Sequence, residues 1–284
     1  MATHARPLDR RRVDVVLRGA PPDGPLAALS AYRNADGGYG WGLEADLRDA
    51  RSQPGAALHA FEVFEDISPA TTPRAVELCD WLASVSLPDG GLPFALPVSS
   101  TAGCAPFWVQ ADPAVSSLQI TAVVAAIAHR VAANDPAVAG HPWLARASQF
   151  CLVAIKAMGD DPHALELAFA LQFLDAVHDT YPEAAELMER LGRRLPASGL
   201  VHVGGGLEEE FMRPLDFAPV PDRPVRGLFE PEAISAELER LIAQQQDDGG
   251  WPVDFANYSP AAALEWRGHM TVRALSILRR NRKI

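Results

Sequence analysis

The sequence predicts an all-α protein whose helices alternate between two concentric rings, an α/α barrel of about five to six hairpins. The first observation behind this is a repeat: Asp-Gly-Gly occurs at Asp36-Gly37-Gly38, Asp89-Gly90-Gly91 and Asp248-Gly249-Gly250. The first two copies stand 53 residues apart, and the third follows after 159, three times that period. The second is context. An amphipathic stretch precedes each copy (26–33, 73–85, 231–246), and an aromatic and then an Ala-rich stretch of helical period follow it (52–64, 114–130, 261–278). The third is that helices differ in kind. Residues 161–177 are apolar nearly all round, as a helix buried on every side should be, whereas 183–194 carry a full polar face.

Each unit therefore reads as helix, glycine turn, aromatic loop, helix. The Asp side chain bonds back to its own backbone, and Gly accepts the positive φ that ends a helix. Helices are expected near 9–18, 24–33, 52–65, 73–86, 113–131, 143–157, 162–177, 182–194, 231–246 and 260–280. The 24 prolines belong at helix starts and in loops. The period places weaker units near 142 and 195, where Gly140-His141-Pro142-Trp143 is a break and Leu195-Pro196-Ala197-Ser198-Gly199-Leu200 a degenerate turn. The whole chain, 1–284, is expected to be one domain with units near 24–65, 73–131, 143–177, 182–229 and 231–280. Residues 199–229, rich in Gly and Pro, read as a long irregular segment of the kind that often carries function.

Composition narrows the function. With 48% apolar and 21% charged residues the chain can bury a large core. Its net charge of −11 argues against nucleic acid or an anionic membrane as the main partner. The Arg runs, Arg10-Arg11-Arg12 and Arg279-Arg280-Asn281-Arg282-Lys283, are expected to be solvated helix ends. Cys79, Cys104 and Cys151 are odd in number and widely spaced, which fits a reducing cytoplasm and neither a disulfide framework nor a zinc knuckle. The N-terminal stretch lacks the apolar region of a secretory signal, and residues 114–128 are too short and polar to span a membrane.

Gln244-Gln245-Gln246-Asp247-Asp248-Gly249-Gly250-Trp251 resembles the QW repeat of squalene–hopene and oxidosqualene cyclases. Asp36-Gly37-Gly38-Tyr39-Gly40, followed by Ser52-Gln53-Pro54-Gly55-Ala56-Ala57-Leu58, resembles the same family's turn and the opening of its inner helix. Arg267-Gly268 and Thr271-Val272-Arg273-Ala274-Leu275 resemble the helix after the last repeat. The resemblance covers 24–65, 81–130 and 231–280 and implies an α/α toroid of the terpenoid cyclase and prenyltransferase type. The Asp-x-Asp-Asp acid motif of proton-initiated cyclases is missing, no Cys matches the zinc motif of the prenyltransferases, and the length suits one barrel where full cyclases have two.

Candidate chemistry centres on the loop Gly40-Trp41-Gly42-Leu43-Glu44-Ala45-Asp46-Leu47-Arg48, which should cross one mouth of the barrel. Glu44 and Asp46 are the preferred acids, because neighbouring carboxylates split their pKa values and leave one protonated. The same residues with Arg48 also suit an ion-pair network that orders the loop. Glu166, among Leu165, Phe169 and Phe173, is a second candidate acid or the partner of an arginine. Asp216, flanked by Pro214 and Phe217, is a third or a turn former. Glu265 and His269 share a helix face beside Trp266, and His59 and Glu62 share another. Each pair lacks a third ligand, so no metal site is expected, nor any cofactor. Trp41, Phe107, Trp108 and Trp266 are expected to line the mouth with Arg48, where they would suit a polyprenyl chain, a carbocation or a sugar face. Tyr39, Phe94 and Trp251 are expected to stack on the glutamines of the turns.

The expected function is acid-initiated cyclisation of a hydrophobic isoprenoid or related small molecule in a central cavity, an isomerase or lyase reaction. The alternatives are a glycan hydrolase or lyase on an α/α barrel, and a non-catalytic binding or scaffold protein. A deep, closed apolar pocket would favour the first and an open aromatic groove the second. A ring filled by side chains would count against both. Neither substrate nor oligomeric state is written in the sequence.

Overall fold

The computed structural model describes residues 5–284; the first four residues of the N-terminal segment read above for a secretory signal lie outside them. Thirteen α-helices follow one another along the described chain. They are α1 (Pro7–Arg18), α2 (Asp23–Leu29), α3 (Pro54–Asp66), α4 (Pro73–Val85), α5 (Pro106–Val109), α6 (Leu118–Ala132), α7 (Pro136–Ala139), α8 (Pro142–Ala157), α9 (Ala164–Ala176), α10 (Ala184–Gly192), α11 (Pro214–Phe217), α12 (Pro231–Ala243) and α13 (Pro260–Arg280). The only strands among the described residues, β1 (Val201–His202) and β2 (Phe211–Met212), pair antiparallel with Val201 opposite Met212. The protein is thus predominantly helical. No helix of the described residues is long and apolar enough to cross a membrane.

Proline sets the helix starts. Nine of the thirteen helices begin with it, where the missing N–H would have had no partner and the fixed φ suits a helix. Hydroxyls add caps: Ser117 Oγ accepts from Ile120 N, and Ser259 Oγ from Ala262 N. The helix expected from 113 starts only at Leu118, because the backbone before it is drawn across to the preceding loop. Ser117 N donates to Leu92 O at 2.8 Å, and Ser116 bridges Pro93.

The three Asp-Gly-Gly turns repeat atom for atom. Oδ1 of Asp36, Asp89 and Asp248 accepts from the N–H of Gly38, Gly91 and Gly250 at 2.9, 3.0 and 3.1 Å. The middle glycines, Gly37, Gly90 and Gly249, have φ of 90°, 93° and 80°. In the first two units a serine ahead of the following helix closes the turn, Ser52 or Ser116 donating to the Asp at 2.8 and 2.7 Å. In the third, Arg267 of α13 replaces the serine with two 2.7 Å bonds. The units between are unequal. Residue 142 lies at the start of α8, and the helix end comparable to the Asp-Gly-Gly turns falls later, at Met158-Gly159. The loop holding α5 and the extra helix α7 lengthen the second unit, and a shorter hairpin follows, so the threefold multiple of 53 came from unequal units.

α6 is the most enclosed helix. Every residue from 122 to 128 is at most 4% exposed. It packs on α3, α8 and α9; α9 packs on α11, α11 on α12, α12 on α13, α13 on α1, and α1 on α3. One polar stripe interrupts the apolar surface of α3. His59, Glu62 and Asp66 lie three and four residues apart, on the face turned to α1 and α13.

Candidate functional site

The loop 40–51 is held from three sides. From the start of α1, the preceding residue Arg6 donates to Leu43 O at 2.9 Å and is itself braced by Asp9. From the loop before α5, Ala105 N donates to Asp46 O at 2.8 Å, and Ser99 N and Oγ bond to the buried Asp49. From α13, Arg48 Nη1 meets Glu265 Oε2 at 2.6 Å and the Trp266 indole N–H donates to Asp46 Oδ2 at 2.6 Å. Two glycines make these approaches possible. A Cβ at Gly268 would stand 2.6 Å from Asp9 Oδ2, and one at Gly55 3.2 Å from the Trp108 ring and 3.5 Å from Glu44 Cγ.

Glu44 and Asp46 are both buried. Glu44 Oε1 accepts from Asp46 N at 3.0 Å, and Glu44 Oε2 meets His59 Nε2 at 2.9 Å. The other nitrogen of His59 meets Glu62 Oε2 at 3.1 Å, and His269 Nδ1 stands 3.5 Å from that same oxygen. Arg12 joins Glu62 at 3.2 Å and Asp66 at 2.6 Å. Arg12 was expected at a solvated helix end; instead it is 6% exposed, because α1 lays this face against the polar stripe of α3.

The electrostatics follow from burial. Burial pushes Asp46 up to about 6; the Trp266 hydrogen bond opposes this, and the charges of Glu44 and Glu265 add to it. Oδ2 of Asp46 is taken by Trp266, while the buried Oδ1 has no hydrogen-bond partner. Burial alone would lower His59, but Glu62 and Glu44 on its two nitrogens raise it to about 9. His269 is the converse: burial lowers it to about 3 and keeps it neutral. Burial would raise Glu62, and His269, His59 and Arg12 reverse this and keep it ionised.

No protein-family model matches this chain, and no curated protein matches it either. The chemistry has to be read from the site alone.

The fold brings together Glu44, Asp46, Arg48, Trp108, Glu265, Trp266 and His269 of the sequence-derived candidates. Phe107, 45% exposed, stands beside Trp108 with its ring edge-on to Tyr258. Trp41 points elsewhere: it is 59% exposed and bonds to Asn34. Phe94 stacks on Trp108 at 4.4 Å, and Tyr39 packs edge-on to Phe64. The remaining candidates lie in other parts of the molecule. Glu166 is half-buried in the first turn of α9 and lines a separate cleft of about 710 Å³ with Asp89, Ser116 and His163. Phe173 is fully buried against His129, and Phe169 packs on the core. Asp216 is engaged twice, by Arg213 N at 2.7 Å across the start of α11 and by Arg273 at 2.6 Å.

Arg6 and Asp9 escaped the sequence reading, and Arg12 was read there only as a solvated helix end. Two signals for them exist. The polar stripe 59, 62, 66 in an apolar helix demands a charged partner. Gly268 inside a long helix marks a close approach by another element.

Proposed function

We propose that this chain is an acid-catalysing enzyme on an α/α toroid of the terpenoid cyclase type, protonating a hydrophobic small molecule from Asp46. The toroid reading rests on the order of helix contacts, since the run α3, α6, α9, α11, α12, α13, α1 returns to α3. The observation that carries the catalytic reading is the state of Asp46. One oxygen is pinned by Trp266, the other is buried and unpartnered, and burial raises the carboxyl toward neutrality. A protonated carboxyl with one oriented oxygen is what a general acid requires. Trp266 with Phe255 edge-on at 5.2 Å, and Trp108 stacked with Phe94, supply aromatic faces nearby that favour a developing cation.

The tight packing around α6 moves the expected place of reaction. With residues 122–128 closed off, the substrate is read as entering at the loops around Asp46, not folding inside the ring. This packing counts against a reaction inside the ring for either substrate class and keeps the non-catalytic binding or scaffold reading beside the enzymatic one. The stacked Phe94 and Trp108 favour a second enzymatic reading, a sugar held against them with Glu44 and Asp46 as the carboxylate pair.

The test is turnover by wild type, Asp46→Asn and Glu44→Gln on farnesyl and geranylgeranyl substrates and on a panel of glycans. Activity on a prenyl substrate that Asp46→Asn loses by about a hundredfold or more supports the first reading. Loss confined to a glycan supports the second. Full retention of turnover in both variants removes this loop from the mechanism.

A further inference from the structure

We propose that His59, Glu62 and His269 form a binding site for one divalent first-row transition ion of the Zn²⁺ class. This goes beyond the acid chemistry of Asp46, which does not depend on it. The three donors come from two helices, α3 and α13, and all lie within 4.8 Å of one another. His59 Nδ1 stands 3.1 Å and His269 Nδ1 3.5 Å from Glu62 Oε2. Ligands of a tetrahedral ion with bonds of about 2.0–2.1 Å lie roughly 3.3–3.4 Å from one another. The two separations from Glu62 straddle that value, and the two histidine donors lie within 4.8 Å of each other.

A second observation points to a ligand. His269 Nδ1 is buried and has no hydrogen-bond partner, although the residue is only 8% exposed. A nitrogen in that position would ordinarily find a partner. The outer shell is also present. His59 turns its far nitrogen to Glu44 Oε2 at 2.9 Å, the carboxylate–histidine arrangement that orients a metal-bound imidazole. Arg12 opposes a cation, but it is shared between Glu62 and Asp66 and held closer by Asp66, at 2.6 against 3.2 Å. Two imidazole nitrogens with one carboxylate select a transition ion over Mg²⁺ or Ca²⁺, which require oxygen.

The experiment uses the full chain, stripped with chelator and titrated with Co²⁺, whose visible d–d absorption reports tetrahedral geometry. Expected are saturation at one equivalent, displacement by Zn²⁺, and a rise in Tm with either ion. Glu62→Gln should weaken binding by at least about tenfold and Glu44→Gln by about 10–100-fold, whereas the surface variant His178→Gln should bind as wild type. His269→Cys should retain Co²⁺ and add a thiolate charge-transfer band, which identifies the ligand even if Glu62→Gln fails to fold. Asp46→Asn should keep the Co²⁺ spectrum whatever becomes of turnover, so failure of the acid reading is separable from failure of this one. A wild-type protein with no Co²⁺ spectrum and no Tm response, or a His269→Cys spectrum identical to wild type, overturns the proposal.

Discussion

The indole N–H of Trp266 reaches Oδ2 of Asp46 at 2.6 Å and so ties the loop of the first repeat to the helix of the last, 220 residues away in sequence. The bond favours the ionised carboxylate and is the largest influence opposing burial at Asp46. Trp266→Phe keeps the ring contacts with Phe255 and His59 and removes the donor. The Asp46 pKa should then rise above about 6, and the variant should lose roughly 1–2 kcal/mol of stability. Isotope-edited infrared titration of the buried carboxyl reads the first and chemical denaturation the second. An Asp46 that titrates unchanged in the variant would show that the indole does not control it.

Asp46 also sets a pH dependence whose sign can be worked out. Its folded pKa is raised, from 3.8 to about 6, by burial with Glu44 and Glu265 nearby. A group with a raised folded pKa stabilises the fold most below its unfolded value and loses that stabilisation as pH rises through the folded one. The wild type therefore weakens between about pH 4 and 6, and Asp46→Asn lacks that step. Between pH 4 and pH 8 the stability of Asp46→Asn relative to wild type should improve by about 2 kcal/mol. Thermal melts at the two pH values measure it; a difference that stays constant with pH contradicts a buried, titrating Asp46.

Much of the helical framework was legible because its signals are local. Proline at helix starts and apolar periodicity act over a few residues, and the ten longer helices lie close to where those signals put them, although the Asp-Gly-Gly triplets form turns of their own shortly past the helix ends and do not cap them. Glu44 and Asp46 were visible for the same reason, as charges in a short loop bounded by glycines. The partners of that loop were not. Glu62 meets Arg12 across 50 residues, and His59 and His269 belong to α3 and α13, far apart in the chain. No spacing rule relates residues that tertiary packing alone brings together. The unequal units show the same limit: a fixed period has no access to the insertion of α5 and α7.

The repeat can be tested where its turns are tightest. A Cβ at Gly38 would lie 2.6 Å from Ser52 and 2.7 Å from Trp81, and one at Gly91 2.6 Å from Ser116 and 2.8 Å from Phe150. At Gly250 the nearest atom is the end of the flexible Arg267 side chain, at 3.2 Å. Gly38→Ala and Gly91→Ala should each cost about 1–3 kcal/mol, and Gly250→Ala distinctly less. Denaturant midpoints of the three variants give the ranking. Equal losses at all three positions would mean that the third turn is packed as tightly as the first two.

Arg12 provides the sharpest contrast with the sequence reading, since an arginine in a basic run at a solvated helix end should tolerate replacement. Here its guanidinium bonds to Asp66 at 2.6 Å and Glu62 at 3.2 Å with 6% of the residue exposed. Arg12→Met retains most of the apolar stem, strips Asp66 of its countercharge and leaves Glu62 with His59 alone. Removing one partner of a buried ion pair costs about 3–5 kcal/mol, because the remaining charge stays desolvated. Arg11→Met, one residue away and on the solvent side of α1, should change stability by no more than about 0.5 kcal/mol. Urea unfolding of the two variants side by side decides the matter. Comparable midpoints for Arg11→Met and Arg12→Met would place Arg12 back among the solvated arginines and leave Glu62 and Asp66 to be neutralised by other groups.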